Sequence, residues 1–231
     1  MLRLLLRRHK QKSPRNVQRE QHSDCTARKL LVIACGALAH ELVRVRDMNN
    51  WGHIEFQCLP ATLHNYPEKI PEAVRAKVRE NRNHFSKIFI GYADCGTGGL
   101  LDKVIAEEGL ERLPGAHCYE LFAGSEKFNA LHESEIGTFY LTDYLAENFD
   151  RLIIEGLGID QYPELKNQYF GHYNKLVYLA QKENPKTEQK ARKAAESLGL
   201  TYQREFTGDT GLNETLRVVV NDSGSVADKQ T

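Results

Sequence analysis

The chain has 231 residues, enough to bury a sizeable core, and it balances 31 Lys and Arg against 31 Asp and Glu. No overall field therefore recruits nucleic acid or an anionic membrane. No run approaches the ~18 apolar residues a membrane helix needs, and the five cysteines lack the dense, even spacing of a secreted disulfide scaffold, which suits a reducing cytoplasm.

Residues 1–29 are basic and rich in Gln and Ser, with too short an apolar run for a secretory signal. They read as a disordered extension. Its Arg-rich start suggests an organelle presequence as the alternative, against which stand the Gln, Glu and Asp that follow. Cys25 lies in this segment and is set aside. Residues 30–212 read as an α/β metal-binding domain, and residues 213–231, ending in "NDSGSVADKQT", as a flexible polar tail.

"KLLVIACGALAHELVRVRD" reads as strand, tight turn at Cys35-Gly36, and helix. "HIEFQCLP" is a second strand stopped by Pro60, and "PEAVRAKVRENRNHF" an amphipathic helix with Pro71 near its start. It feeds the strand "SKIFIGYADC". After the glycine turn, "LLDKVIAEEGL" is a helix that Gly109 stops. A strand-like piece through His117-Cys118 precedes a helix opened by Ser125. "GTFYLTDYLAENFDRLIIEGLGI" reads as a further turn and helix, "NQYFGHYNKLVYLAQ" ends in a strand, and "KTEQKARKAAESLGLTYQREF" is helix, the stop Gly199, and a last strand. This alternation predicts an α/β fold: a mainly parallel sheet flanked by helices in Rossmann-like layers, one compact body, with two small lobes that share a sheet as the alternative.

In such a sheet, ligands gather outside the carboxyl ends of the strands. Cys35 follows "LLVIA", Cys95 follows "IFIGYAD" and Cys118 follows "LPGAH", so all three are candidates for one rim. Three thiolates bind zinc or an iron–sulfur cluster and leave one position open for substrate. Cys58 also follows a strand, but without a glycine turn or polar cluster, and reads as buried filler. If the backbone at His117-Cys118 is extended, the two side chains point to opposite faces, which makes Cys118 the ligand and His117 a neighbour or proton carrier. Asp94 and Glu120 are near enough in sequence to orient ligands or move protons. The bland alternative is three small, apolar side chains in a reduced core, since no CxxC or HxxxH spacing sharpens the pattern.

The turn "DCGTGG" has a second meaning: the amides of Gly96, Thr97, Gly98 and Gly99, before a helix, suit a phosphate or carboxylate. It matches neither a nucleotide P-loop nor GxGxxG, and a turn that merely needs positive backbone angles explains it equally. His40 and Glu41 read as an exposed polar face. Phe139, Tyr140, Tyr144 and Phe149 read as core, with Tyr140, Thr142 and Asp143 as candidate ligand contacts. Tyr162, Tyr169, His172 and Tyr173 read as a lid or a subunit contact. No GxSxG occurs, which argues against a serine hydrolase.

Together, "LVIACGALAHEL", "GYADCGTGG", "PGAHCYELFAGSEKF" and "GTFYLTDYL" resemble the bacterial and archaeal family called domain of unknown function 1638, over residues 30–210. The resemblance implies a cysteine in each corresponding turn, matched by Cys35, Cys95 and Cys118, with His117 close to the third. Here His117 and Cys118 are adjacent, where relatives place an acidic residue between them. The resemblance further implies a setting beside corrinoid proteins and methyltransferases of one-carbon metabolism. The resulting expectation is a cytoplasmic metalloprotein acting on a small-molecule substrate or methyl carrier, as a metal-dependent methyltransferase or lyase. The alternative is a non-catalytic, anion-binding or accessory partner of a corrinoid methyltransferase.

Overall fold

The computed structural model describes residues 29–224. Its strands form two parallel sheets rather than one. The first has the order β2-β1-β3-β4, from β1 (Leu30–Cys35), β2 (Ile54–Leu59), β3 (Lys87–Gly91) and β4 (Glu111–Arg112); the second has the order β5-β6-β7, from β5 (Thr138–Thr142), β6 (Lys175–Ala180) and β7 (Thr201–Phe206). Every pairing is parallel, as helix-linked strands require. The expected α/β class with a mainly parallel sheet thus holds, divided into two lobes with separate cores.

Strand β1 is buried along its whole length, the continuous apolar run of a strand covered on both faces. Around it pack α1 (Ala39–Met48), α2 (Ile70–Asn81) and α3 (Leu100–Glu108). Gly109, in the left-handed region at φ 64°, ends α3 as the sequence predicts. In the second lobe, α6 (Asp143–Glu147), α7 (Leu165–Phe170) and α8 (Pro185–Leu198) cover the sheet. Apolar Ala191, Ala194, Ala195 and Leu198 form the buried stripe of α8.

Two elements bind the lobes together. Leu121 and Phe122 of α4 (Tyr119–Ala123) join the first lobe's core, although α5 (Ser125–Ser134) and β5 then lead into the second. After β7 the chain returns as α9 (Thr210–Gly224), whose Leu212, Leu216 and Val219 also enter the first core. Arg44 of α1 forms an ion pair with Asp209 just before α9, and Asn49 Nδ2 donates to Asn213 Oδ1 at 2.9 Å.

Several sequence-based expectations are corrected here. The segment from Gly137 is not turn and helix alone: Thr138–Thr142 is strand β5, paired with β6. Residues 213–224, expected to be a flexible tail, belong to α9, because Leu212, Leu216 and Val219 recur at helical spacing and find an apolar surface. Cys58, expected to be buried, is exposed, since β2 is an edge strand. Glu41, expected on an exposed face, is 4% exposed. The basic segment 1–28, with Cys25, and the last residues 225–231 lie outside the described residues. Among the described residues no helix is long and apolar enough to cross a membrane.

Candidate functional site

Because the strands are parallel, their carboxyl ends share one side of each sheet, and in this chain those sides meet. Between them lies a cavity of about 70 Å³, lined by Cys35 at the end of β1, by Tyr92 and Cys95 after β3, by Cys118 before α4, by Thr142 at the end of β5 and by Leu145 beyond it. A single water needs ~10–15 Å³ by this kind of measure, so the space suits a few small atoms. All three predicted cysteines reach it.

Their chemical states differ. Cys35 Sγ accepts from the Ala37 amide at 3.5 Å, capping the 3₁₀ turn Gly36–Leu38. A Cβ on Gly36 would stand 2.9 Å from the Leu59 carbonyl oxygen, so only glycine lets this turn pack against the end of β2. Desolvation and the nearby Cys118 push the Cys35 thiol up to about 12, which keeps it protonated. Cys95 and Cys118 form a pair with Sγ atoms 3.0 Å apart. The hydrogen bond with Cys118 pulls the Cys95 thiol below its ordinary range, and the same bond with desolvation holds Cys118 well above it. Of the two, Cys95 is the readier to lose its proton and Cys118 the natural donor.

Cys95 sits in an unusual backbone state, φ 51°, followed by Gly96 at 81°, Gly98 at 61° and Gly99 at 81°. Asp94 makes this turn. Its carboxylate accepts from Thr97 Oγ1 at 2.7 Å and from the Gly98 and Gly99 amides at 3.1 and 2.9 Å. Although desolvation acts upward, these bonds hold Asp94 below the ordinary carboxylate range. Two of the four amides expected to bind an outside anion, those of Gly98 and Gly99, therefore already hold the chain's own Asp94. Thr97 is buried within the turn, and of the four turn residues Gly96 lines a cavity, the one that Tyr140 also lines.

The loop bearing His117 and Cys118 is docked on the same turn: Cys95 N donates to the Ala116 carbonyl at 2.8 Å and Asp94 N to that of Gly115 at 3.2 Å. The backbone at Cys118 is helical, φ −60° and ψ −16°, which replaces the extended geometry expected there. His117 is nonetheless the exposed neighbour and Cys118 the inward one, because the turn of α4 separates them. Glu120 accepts from the Ala116 amide at 3.1 Å and from Ser125 Oγ at 3.4 Å. It fastens the loop, and neither it nor Asp94 lines the cavity.

Residues that the sequence does not single out complete the walls. Tyr92, 2% exposed, lies beside Cys35, and its hydroxyl has no hydrogen-bond partner of ordinary geometry among the described residues. His64, on the 3₁₀ turn Ala61–Asn65, keeps a solvent-exposed edge while its ring reaches the cavity. Desolvation at the ring, and then the proximity of His117, lower its affinity for a proton. Tyr119 is held protonated by burial. A lone histidine and two aromatic residues carry no spacing signal, which is why the sequence hides them.

Tyr140 does not line the thiol cavity. It lines an adjoining one of about 360 Å³, together with Phe128, Phe139 and Tyr173, and the two share His64, Cys95, His117 and Tyr119. Among the described residues, no group of three or more His, Cys, Asp or Glu side chains is gathered tightly enough to hold a metal ion as it stands. The donor chemistry still fits a soft ion. Two thiols already touch, a third faces the same cavity, and at Zn–S ≈ 2.3 Å tetrahedral ligation asks for sulfurs about 3.8 Å apart, a modest spreading of the pair.

The family described as "Protein of unknown function (DUF1638)" matches the chain over residues 58–216. No curated protein and no solved structure matches it. The chain belongs to the DUF1638 family.

Proposed function

We propose, with that membership as the premise, that the thiol cavity is a metal site for a single zinc ion in preference to an iron–sulfur cluster, serving chemistry on a small molecule or methyl carrier. The observation that carries this reading is the meeting of Cys35, Cys95 and Cys118 on one cavity between the two sheets. A cluster with three cysteines spreads them over separate irons, whereas the touching pair Cys95–Cys118 suits ligands of one ion. When bound, such an ion supplies Lewis acidity and lowers the pKa of a thiol or hydroxyl placed on it.

The chain's own groups divide the remaining work. Cys95, already inclined to the thiolate, is the leading ligand. Cys35 and Cys118 must each release a proton on binding, so uptake strengthens with pH. The Tyr92 hydroxyl is placed to donate to the Cys35 sulfur, and His64, held neutral, to accept a proton at the mouth. His117 flanks the same opening. Asp94 and Glu120 act as positioning residues, holding the turns that present Cys95, His117 and Cys118.

A soft-metal thiol site suits methyl transfer to or from sulfur, consistent with one-carbon metabolism beside a corrinoid protein or methyltransferase in a reducing cytoplasm. No carboxylate lines the cavity. That observation favours a second reading, a non-catalytic accessory partner of such a methyltransferase. The test is metal analysis of the full chain purified without oxygen. We expect colourless protein with about one zinc per chain, lost on Cys95→Ser. Metal-free protein whose melting temperature ignores chelators overturns the proposal, and metal-free protein that captures a corrinoid methyltransferase selects the accessory reading.

A further inference from the structure

The touching pair of thiols has a chemistry that metal binding does not use. Cys95 and Cys118 are 23 residues apart in the chain, yet their Sγ atoms stand 3.0 Å apart. Two backbone hydrogen bonds hold that spacing: the Cys95 amide donates to the Ala116 carbonyl at 2.8 Å and the Asp94 amide to that of Gly115 at 3.2 Å, which docks the loop carrying Cys118 on the turn carrying Cys95. A disulfide asks for ~2.05 Å between its sulfurs, so the two need to close by only about 1 Å. Cys35 is placed differently. Its sulfur caps the turn Gly36–Leu38 by accepting from the Ala37 amide.

The two cavities make the pair unequal to an incoming reagent. Both sulfurs line the thiol cavity, but of the two residues Cys95 also lines the adjoining space of about 360 Å³ and Cys118 does not. That space is large enough for a small molecule. His64, His117, His132 and Thr138 stand among its aromatic rings, so its lining does not reject charge. A reagent that enters there meets Cys95 first, with Cys118 behind it.

We infer that Cys95 and Cys118 are a reversible oxidation site, a dithiol that a low-molecular-weight organic disulfide, entering through the larger cavity, converts to an intramolecular disulfide. Cys95, as the thiolate, attacks one sulfur of the reagent RSSR; a mixed disulfide Cys95–SR forms, and RS⁻ leaves and takes up the proton that Cys95 released. The Cys118 sulfur, already within the ~3–3.5 Å of a near-attack arrangement, gives up its proton and attacks Cys95 Sγ, expelling the second RS⁻, which takes that proton. Two protein thiols are oxidised by two electrons, and RSSR is reduced to two RSH. The dithiol stands on its geometry alone. Its consequence, that oxidation removes two of three ligands and releases the ion, rests on the metal reading proposed above.

The test is peptide mapping of the full chain, as purified and after chelator treatment, exposed without oxygen to 2-hydroxyethyl disulfide, quenched in acid and alkylated. We expect a linked peptide joining Cys95 to Cys118, with dithiothreitol restoring both thiols. Cys118→Ser should trap the mixed disulfide on Cys95, and Cys95→Ser should slow modification of Cys118 by about tenfold or more. Exposed Cys58 is the internal control. Modification of Cys58 while Cys95 and Cys118 stay reduced in the chelator-treated chain overturns the inference, as does an adduct on Cys118 ahead of Cys95, or linkage of either to Cys35 instead. If a variant does not fold, the peptide map of the natural chain decides. Linkage in a chain that never carries zinc leaves the dithiol in place and removes the metal reading, whereas a zinc-loaded chain that forms no linkage once stripped does the reverse, so the two failures are distinguishable.

Discussion

The Sγ atoms of Cys95 and Cys118 stand 3.0 Å apart, well beyond the ~2.05 Å of a disulfide and within hydrogen-bonding reach of each other. The pair is asymmetric because Cys118 is more deeply desolvated, so Cys95 gives up a proton more readily than Cys118.

That asymmetry predicts an order of reactivity in chelator-treated protein. Iodoacetamide at neutral pH should label Cys95 before both Cys118 and Cys35, the latter pushed up to about 12, since the thiolate is the nucleophile. Cys118→Ala removes the donor that stabilises the Cys95 thiolate. It should raise the Cys95 pKa and slow its labelling by about an order of magnitude. Peptide mass spectrometry against time reads the order directly; labelling of Cys35 or Cys118 ahead of Cys95 would show that the pair does not favour ionisation of Cys95.

Cys95 is also held at φ 51°, where a side chain costs ~1–2 kcal/mol. Glycine at this position removes the strain and loses the thiol. Cys95→Gly should therefore be more stable than Cys95→Ala by about 1 kcal/mol in urea unfolding. Equal stability of the two variants would mean that the backbone at 95 relaxes freely and that a thiol there has no energetic cost to explain.

How much of this was readable beforehand follows from the range of the signals. Local ones carried through: Gly109 stops α3, Gly199 stops α8, Cys35 ends β1 and Cys95 lies just beyond β3, whereas Cys118 is carried by the start of α4. Strand β5 was hidden because its aromatic residues Phe139 and Tyr140 run on into Tyr144 and Phe149, and the mixture matches helical spacing as well as strand alternation. The division into two sheets was hidden because alternating strands and helices predict parallel pairing, not where the pairing breaks. The role of Asp94 was hidden because a carboxylate beside a cysteine looks the same in sequence whether it faces a ligand or caps its own turn.

Asp94 and Glu41 predict opposite pH behaviour. Hydrogen bonds hold Asp94 below its unfolded value, so its contribution is present above ~3.9 and is lost as pH falls through its folded pKa. Glu41 is raised, first by desolvation, against the opposing pull of Arg44 and with the like charges of Asp209 and Asp143 adding. Below ~4.3, its unfolded value, it does not weaken the fold; as pH rises through its folded pKa, ionising a buried carboxylate costs stability. Glu41→Gln should therefore raise the melting temperature at pH 8 relative to the natural chain and leave it little changed at pH 4. Asp94→Asn should do harm that grows from acid to neutral pH, on the order of 1–3 kcal/mol for loss of bonds to a charged acceptor. Melting curves across pH 3–9 test both, and a Glu41→Gln variant that is less stable at pH 8 would show that the ionised carboxylate is satisfied by a partner.

The last helix offers the sharpest check on the architecture. Leu212 and Leu216 of α9 are 0% and 1% exposed and sit in the core of the first lobe, although the chain reaches them only after completing the second. Deleting a fully buried leucine side chain costs ~2–5 kcal/mol. A flexible tail would register nothing. Leu216→Ala should thus lower unfolding stability by a few kcal/mol, while Val218→Ala, at a position 60% exposed on the same helix, should change it by less than about 0.5 kcal/mol. Because α9 and α4 both span from one lobe to the other's core, the loss at Leu216 should also loosen the wall between the sheets. Cys118 lies at the start of α4, so its alkylation should quicken in Leu216→Ala before global unfolding begins. Unchanged labelling would mean that the helix supports the first core alone and does not set the geometry of the thiol cavity.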